Sequence, residues 1–183
     1  MRVLIATGRL AALAAFLAAS AGLWQTAGAA EETKIAAFSV WQGQGYTYST
    51  GVQQGTFLGT FAGTVYVLTD QGPQLSGDLV CPAVITFDLT DKGQTGKARC
   101  TITGKDGAQV FGELSCTGFQ MVGCDGDYKI TGGTGRFAGI TGGGHVSVRS
   151  ESRSTGASVD ANGGVAEQAR GIIYWRELQY KIP

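Results

Sequence analysis

Cys116 to Gly144 reads CTGFQMVGCDGDYKITGGTGRFAGITGGG, and this stretch decides the fold. Within it, Asp127-Tyr128-Lys129-Ile130-Thr131 alternates polar and apolar residues, the period of a strand with one buried face. Gly132, Gly133 and Gly135 then crowd four positions, which predicts a tight turn whose backbone visits positive φ without a Cβ clash. Arg136-Phe137-Ala138 makes one helical turn or rounds the corner, with Phe137 as the apolar plug that holds it to the core. Ile140-Thr141 starts the next strand. There Gly142-Gly143-Gly144 permits a bulge, sharp coiling or the close approach of another backbone. A barrel uses all three.

Gly133-Thr134-Gly135-Arg136-Phe137-Ala138 also fits the dinucleotide fingerprint G-x-G-x-x-A after a strand. That fingerprint needs a helix of several turns whose N-terminus receives the pyrophosphate. Gly139, Gly142, Gly143 and Gly144 follow at once and forbid it. Glu151 lies at a suggestive distance for a ribose contact, but no second parallel strand precedes it. A Walker-type phosphate loop is excluded because no Lys-Ser or Lys-Thr follows the glycines.

The run Gly132-Gly133-Thr134-Gly135-Arg136-Phe137, followed by Gly139 and Gly142, resembles the glycine-rich corner of the allene oxide cyclase and dirigent barrel superfamily. It is most similar to the secreted bacterial branch, whose members mostly lack an assigned function. The resemblance implies an eight-stranded antiparallel barrel with an apolar lumen, associating as a dimer or trimer. The catalytic residues of the plant enzymes match no positions here, so it implies no activity.

The chain's 183 residues begin with a basic Arg2 and Arg9, an Ala/Leu run over Leu10–Leu23 and small residues at Ala27-Gly28-Ala29. These are the three parts of a secretory signal peptide, predicted to span 1–29 and to be cleaved, leaving one domain over 30–183. No cysteine sits at the cleavage point to carry a lipid. The expected location is therefore periplasmic or extracellular. Without Arg2 and Arg9, twelve basic residues face 14 acidic ones, a net charge of about −2 that argues against a nucleic-acid partner. No stretch of the mature chain is apolar enough to span a membrane as a helix.

Cys81, Cys100, Cys116 and Cys124 all lie in the exported part, an even count that reads as two disulfides. Structural zinc would want paired C-x₂₋₄-C spacings, which are absent. A hairpin around Gln120 favours Cys116 with Cys124, leaving Cys81 with Cys100. Cys100 and Cys116 also flank the Asp106-Gly107 turn and form the competing pair.

Strands are expected over Lys34–Trp41, Thr56–Ala62, Thr64–Thr69, Ala83–Thr90, Lys97–Thr103, Gln109–Cys116, Val122–Thr131, Ile140–Glu151 and Val165–Ile182. Gln42–Gly55 reads as a long Gly/Gln loop that has room for a further strand, and Ser152–Gly164 as a polar loop. Eight or nine strands with short turns make an all-β antiparallel barrel or sandwich. A large-residue last strand that pairs with the first would close the sheet and remove its edges.

Little in the sequence carries chemistry. His145 is the single histidine, and no G-x-S-x-G elbow accompanies it. Asp125-Gly126-Asp127 lacks the distant glutamate of a calcium loop and reads as a turn, so no metal and no cofactor is expected. Asp88, Glu113 and Glu177 are the strand carboxylates that would act as acid or base if they faced the lumen. Trp41, Phe87, Tyr174 and Trp175 are large enough either to line a lumen pocket for a small apolar ligand or to fill it. The expected function is a non-catalytic binding module for a small apolar molecule or a protein partner. A lumen cyclase or isomerase and a structural scaffold are the alternatives.

Overall fold

The computed structural model describes residues 32–183, with the side chains of 152, 153 and 157 excepted. Residues 1–29, expected to be a signal peptide, lie outside the described residues. Eight strands run in chain order: β1 (Glu32–Gly51), β2 (Gln54–Thr69), β3 (Gly72–Asp88), β4 (Gly93–Gly104), β5 (Gln109–Phe119), β6 (Gly123–Gly133), β7 (Thr141–Val159) and β8 (Val165–Lys181). Each pairs antiparallel with its sequence neighbours, and β8 pairs back onto β1 from Glu32↔Lys181 to Thr47↔Val165. The barrel is therefore closed and has no free edge. No helix among the described residues is long and apolar enough to cross a membrane.

Up-and-down topology gives the barrel two unlike ends. The tip end carries the β1–β2, β3–β4, β5–β6 and β7–β8 turns. The corner end carries the other turns, the start of β1 and the end of β8. Between β6 and β7 the glycine corner forms a 3-10 turn at Gly135–Phe137. Gly135 and Gly139 there take φ of 59° and 77°, the left-handed region that glycine enters without strain. Phe137 is half-buried against the core, and Arg136 reaches Asp106 at 3.4 Å across the corner end.

Alternation sends one face of every strand inward. Ala37 and Trp41 from β1, Leu79 and Cys81 from β3, Leu114 from β5, Tyr128 and Ile130 from β6, Val146 from β7 and Trp175 from β8 meet in the core. Both disulfides form, Cys81 to Cys100 and Cys116 to Cys124. The competing Cys100–Cys116 pair fails on register. Cys100 faces Gly112 and Cys116 faces Gly96, four residues out of step.

Several element assignments differ from the expectation, among them the start of β3, which lies at Gly72 and not at Ala83. Gln42–Gly51 is no loop but the second half of β1. Gly43 and Gly45 occupy inward positions where rings of β2 supply the bulk: a Cβ on Gly43 would lie 2.6 Å from the Phe61 ring. Gly63 does not break β2, because it stays in the ladder opposite Trp41. Most of Ser152–Gly164 is strand as well, since β7 runs to Val159 against β8.

Candidate functional site

The lumen is the concave site, and its middle is full. Trp41, Trp175, Tyr128, Leu79 and Val146 are among the most buried side chains of the chain. Trp41 meets Phe61 edge-on at 4.9 Å between ring centres, and Trp175 meets Tyr128 likewise at 5.5 Å. These rings divide the lumen. Toward the tip end, beside Cys81, Cys116 and Cys124, about 50 Å³ remains. Toward the corner end lies an apolar chamber of about 170 Å³ walled by Ala37, Val65, Ile130, Leu178 and Tyr180, with Phe137 and Ile140 of the corner closing it.

Tyr128 and Trp175 both line that chamber, and both carry a buried polar atom with no hydrogen-bond partner in the described structure: the Tyr128 hydroxyl and the Trp175 indole N–H. Burial pushes the Tyr128 phenol well above its ordinary value, so it stays protonated and serves as a donor. A buried donor left unmade costs about 1–3 kcal/mol. Both donors are sealed behind the chamber's surface, the Tyr128 hydroxyl against Gly112, so the chamber itself offers mainly apolar walls. It offers no carboxylate, thiol or imidazole.

The four ring residues predicted for the lumen do not come together. Trp41 and Trp175 are inside, on the two sides of the central filling. Phe87 has inward parity but sits near the tip end of β3, its ring over Gly55. Tyr174 neighbours Trp175 on β8 and so faces outward, in register with Phe38 and Ser147. Consecutive strand residues point to opposite faces, and one of that pair had to be outside.

The three strand carboxylates are on the outside too. Glu113 lies 3.2 Å from Arg99. Lys34 lies 3.2 Å from Glu177, whose carboxyl is held below its usual value by bonds from Gln179 and Lys34. Asp88 is held low by bonds from Thr90 and Gln54. The carboxylate that does face inward is Glu167, buried and hydrogen-bonded by Thr47. Counting back from Trp175 by twos through Ile173, Gly171 and Ala169 reaches it, a signal present in the sequence and not used there. It stands eight residues from Trp175, about 26 Å along the strand and toward the tip end, away from the chamber.

Asp125-Gly126-Asp127, expected to be a turn, lies within β6, in register with Thr117 to Ser115 of β5. Ser147 donates to Asp125 at 2.5 Å and Arg149 at 2.8 Å, and these bonds hold its carboxyl below the ordinary range. His145 stands 3.9 Å from the same carboxylate on the exposed outer face. The described residues include no group of three or more potential metal ligands.

No protein-family model matches the chain, and no curated protein sequence does. Among solved structures it is similar to the pterocarpan synthase dirigent protein GePTS1, at 14% identity over 85% of this chain and 94% of that one, with a TM-score of 0.39. It is also similar to the pterocarpan synthase dirigent protein PsPTS1, at 14% identity over 80% and 96%, with a TM-score of 0.34. Likeness at this level transfers no function. The class of this protein, a closed eight-stranded antiparallel barrel with two internal disulfides, rests on its own strand pairing.

Proposed function

We propose that this chain is an exported, non-catalytic binding barrel that holds one small, mostly apolar molecule in the chamber at its corner end. The observation that carries the reading is about 170 Å³ of apolar space enclosed at the corner end of the lumen. Apolar walls give affinity for a ligand of like character. The ligand is accordingly mostly hydrocarbon. The disulfides and the sequence of residues 1–29 support export to the periplasm or beyond. The glycine-corner resemblance supports assembly as a dimer or trimer.

Protein purified from its native host and sprayed intact in native mass spectrometry tests the reading. A retained mass of small-molecule size, absent after denaturation and lost in Trp175→Phe, is the expected result. A clean apo mass, together with no uptake from an apolar ketone and ester library, would overturn it.

A further inference from the structure

The outer face of β2, β1, β8 and β7 carries a second concave site, unrelated to the lumen. Register places Thr60, Gln44, Gln168 and Ser154 in one straight row across the four strands, with Gln42 and Arg170 in the next. Together they enclose a groove of about 430 Å³, within the range of small-ligand sites on the order of 300–1,000 Å³. Its floor is Gly43. The missing side chain there lets β1 sink toward the Phe61 ring beneath, which turns a convex barrel wall into a hollow.

The chemistry of the groove is specific. Gln42, Gln44 and Gln168 are exposed, and no other described residue hydrogen-bonds their side-chain amides. Each amide offers two donors and one acceptor, and the Thr60 and Ser154 hydroxyls offer both. The one charged side chain among the described lining residues, Arg170, is paired with Glu151 at 3.2 Å, so it is not free to hold an anion. Tyr46, 40% exposed, is the next residue after Gln44 on the same face of β1, one step beyond the residues that line the groove. Closure of the barrel leaves no strand edge for a peptide to extend. Clustered neutral donors and acceptors beside one aromatic face match the hydroxyls and C–H faces of a sugar. We propose that this groove binds a neutral carbohydrate.

The test is an array of neutral glucan, mannan, galactan and chitin oligosaccharides probed with the full chain, followed by titration of the best binder against the ¹⁵N side-chain amide signals. Retention of at least one oligosaccharide is expected, with shifts confined to Gln42, Gln44 and Gln168. The double variant Gln44→Ala/Gln168→Ala should weaken binding at least about tenfold without changing the melting temperature, as loss of several hydrogen bonds would. Tyr46→Ala should weaken it similarly and Tyr46→Phe should not. Trp175→Phe, in the lumen, should leave sugar binding intact, so this site and the lumen reading stand or fall separately. No retained sugar, or binding indifferent to the double variant, would overturn the proposal.

Discussion

The two halves of the lumen are built by opposite means. The tip-end half is closed covalently and sterically, by both disulfides and by the Trp41–Phe61 ring pair, with about 50 Å³ unfilled. The corner-end half is walled by aliphatic residues and capped by the glycine corner, with about 170 Å³ unfilled. Rigidity is concentrated in one half and vacancy in the other. A barrel arranged this way can leave one half of its lumen unfilled by side chains because its cohesion is made in the other.

Unequal truncation breaks or upholds that contrast most strongly. Trp41→Ala should cost about 3–5 kcal/mol and lower the thermal midpoint by about 10 °C, because the packed half has no slack to collapse into. Leu178→Ala, on a wall that already faces space, should cost only about 2 kcal/mol. Equal losses in urea unfolding would mean that the two halves do not differ in packing. Next come the cross-links. Cys81→Ala/Cys100→Ala opens a loop of sequence separation 19 and should cost about 3 kcal/mol. Cys116→Ala/Cys124→Ala, at separation 8, should cost about 2.5 kcal/mol.

Tyr128→Phe separates stability from binding. It deletes a buried hydroxyl that has no partner, so the ligand-free protein should keep its stability or gain up to about 1 kcal/mol. Ligand affinity should change less than about threefold in the same variant, because the hydroxyl is sealed from the chamber. A clear loss of ligand-free stability would show that the hydroxyl is already satisfied. The smallest effect is on the outside. The Asp125 carboxyl is held below its unfolded value by Ser147 and Arg149, so its contribution is present above pH of about 4 and fades as pH falls through the folded value. Because the pair is exposed, the drop in thermal midpoint should be slight, and Asp125→Asn should flatten it.

Period-2 alternation made much of this barrel legible. The strand expected over Ala83–Thr90 is found in β3 as far as Asp88, the preferred disulfide pairing forms, and of the two readings of Arg136-Phe137-Ala138 the helical turn is the one seen. Gln42–Gly51 was illegible for a physical reason. An inward glycine reads as loop when the ring that fills its place belongs to another strand, as Phe61 does for Gly43. Near the end of β8 a bulge defeats parity, because Ala37 faces Trp175 while Ile35 faces Leu178. That extra residue brings both Leu178 and Tyr180 to the chamber, which strict alternation from Trp175 would have denied. The two empty spaces depend on side chains from up to eight strands, and no local pattern encodes them.

Closure through β1 and β8 also sets the order in which this chain can become a protein. Every other neighbouring pair is joined by a turn or the short corner, but Ala37 must wait for Trp175. If the chain pairs from its N-terminal side, the first seven strands zip locally into a curled sheet whose two outer edges remain open and whose aromatic face stays wet. Only the arrival of β8 converts that template for aggregation into a sealed wall.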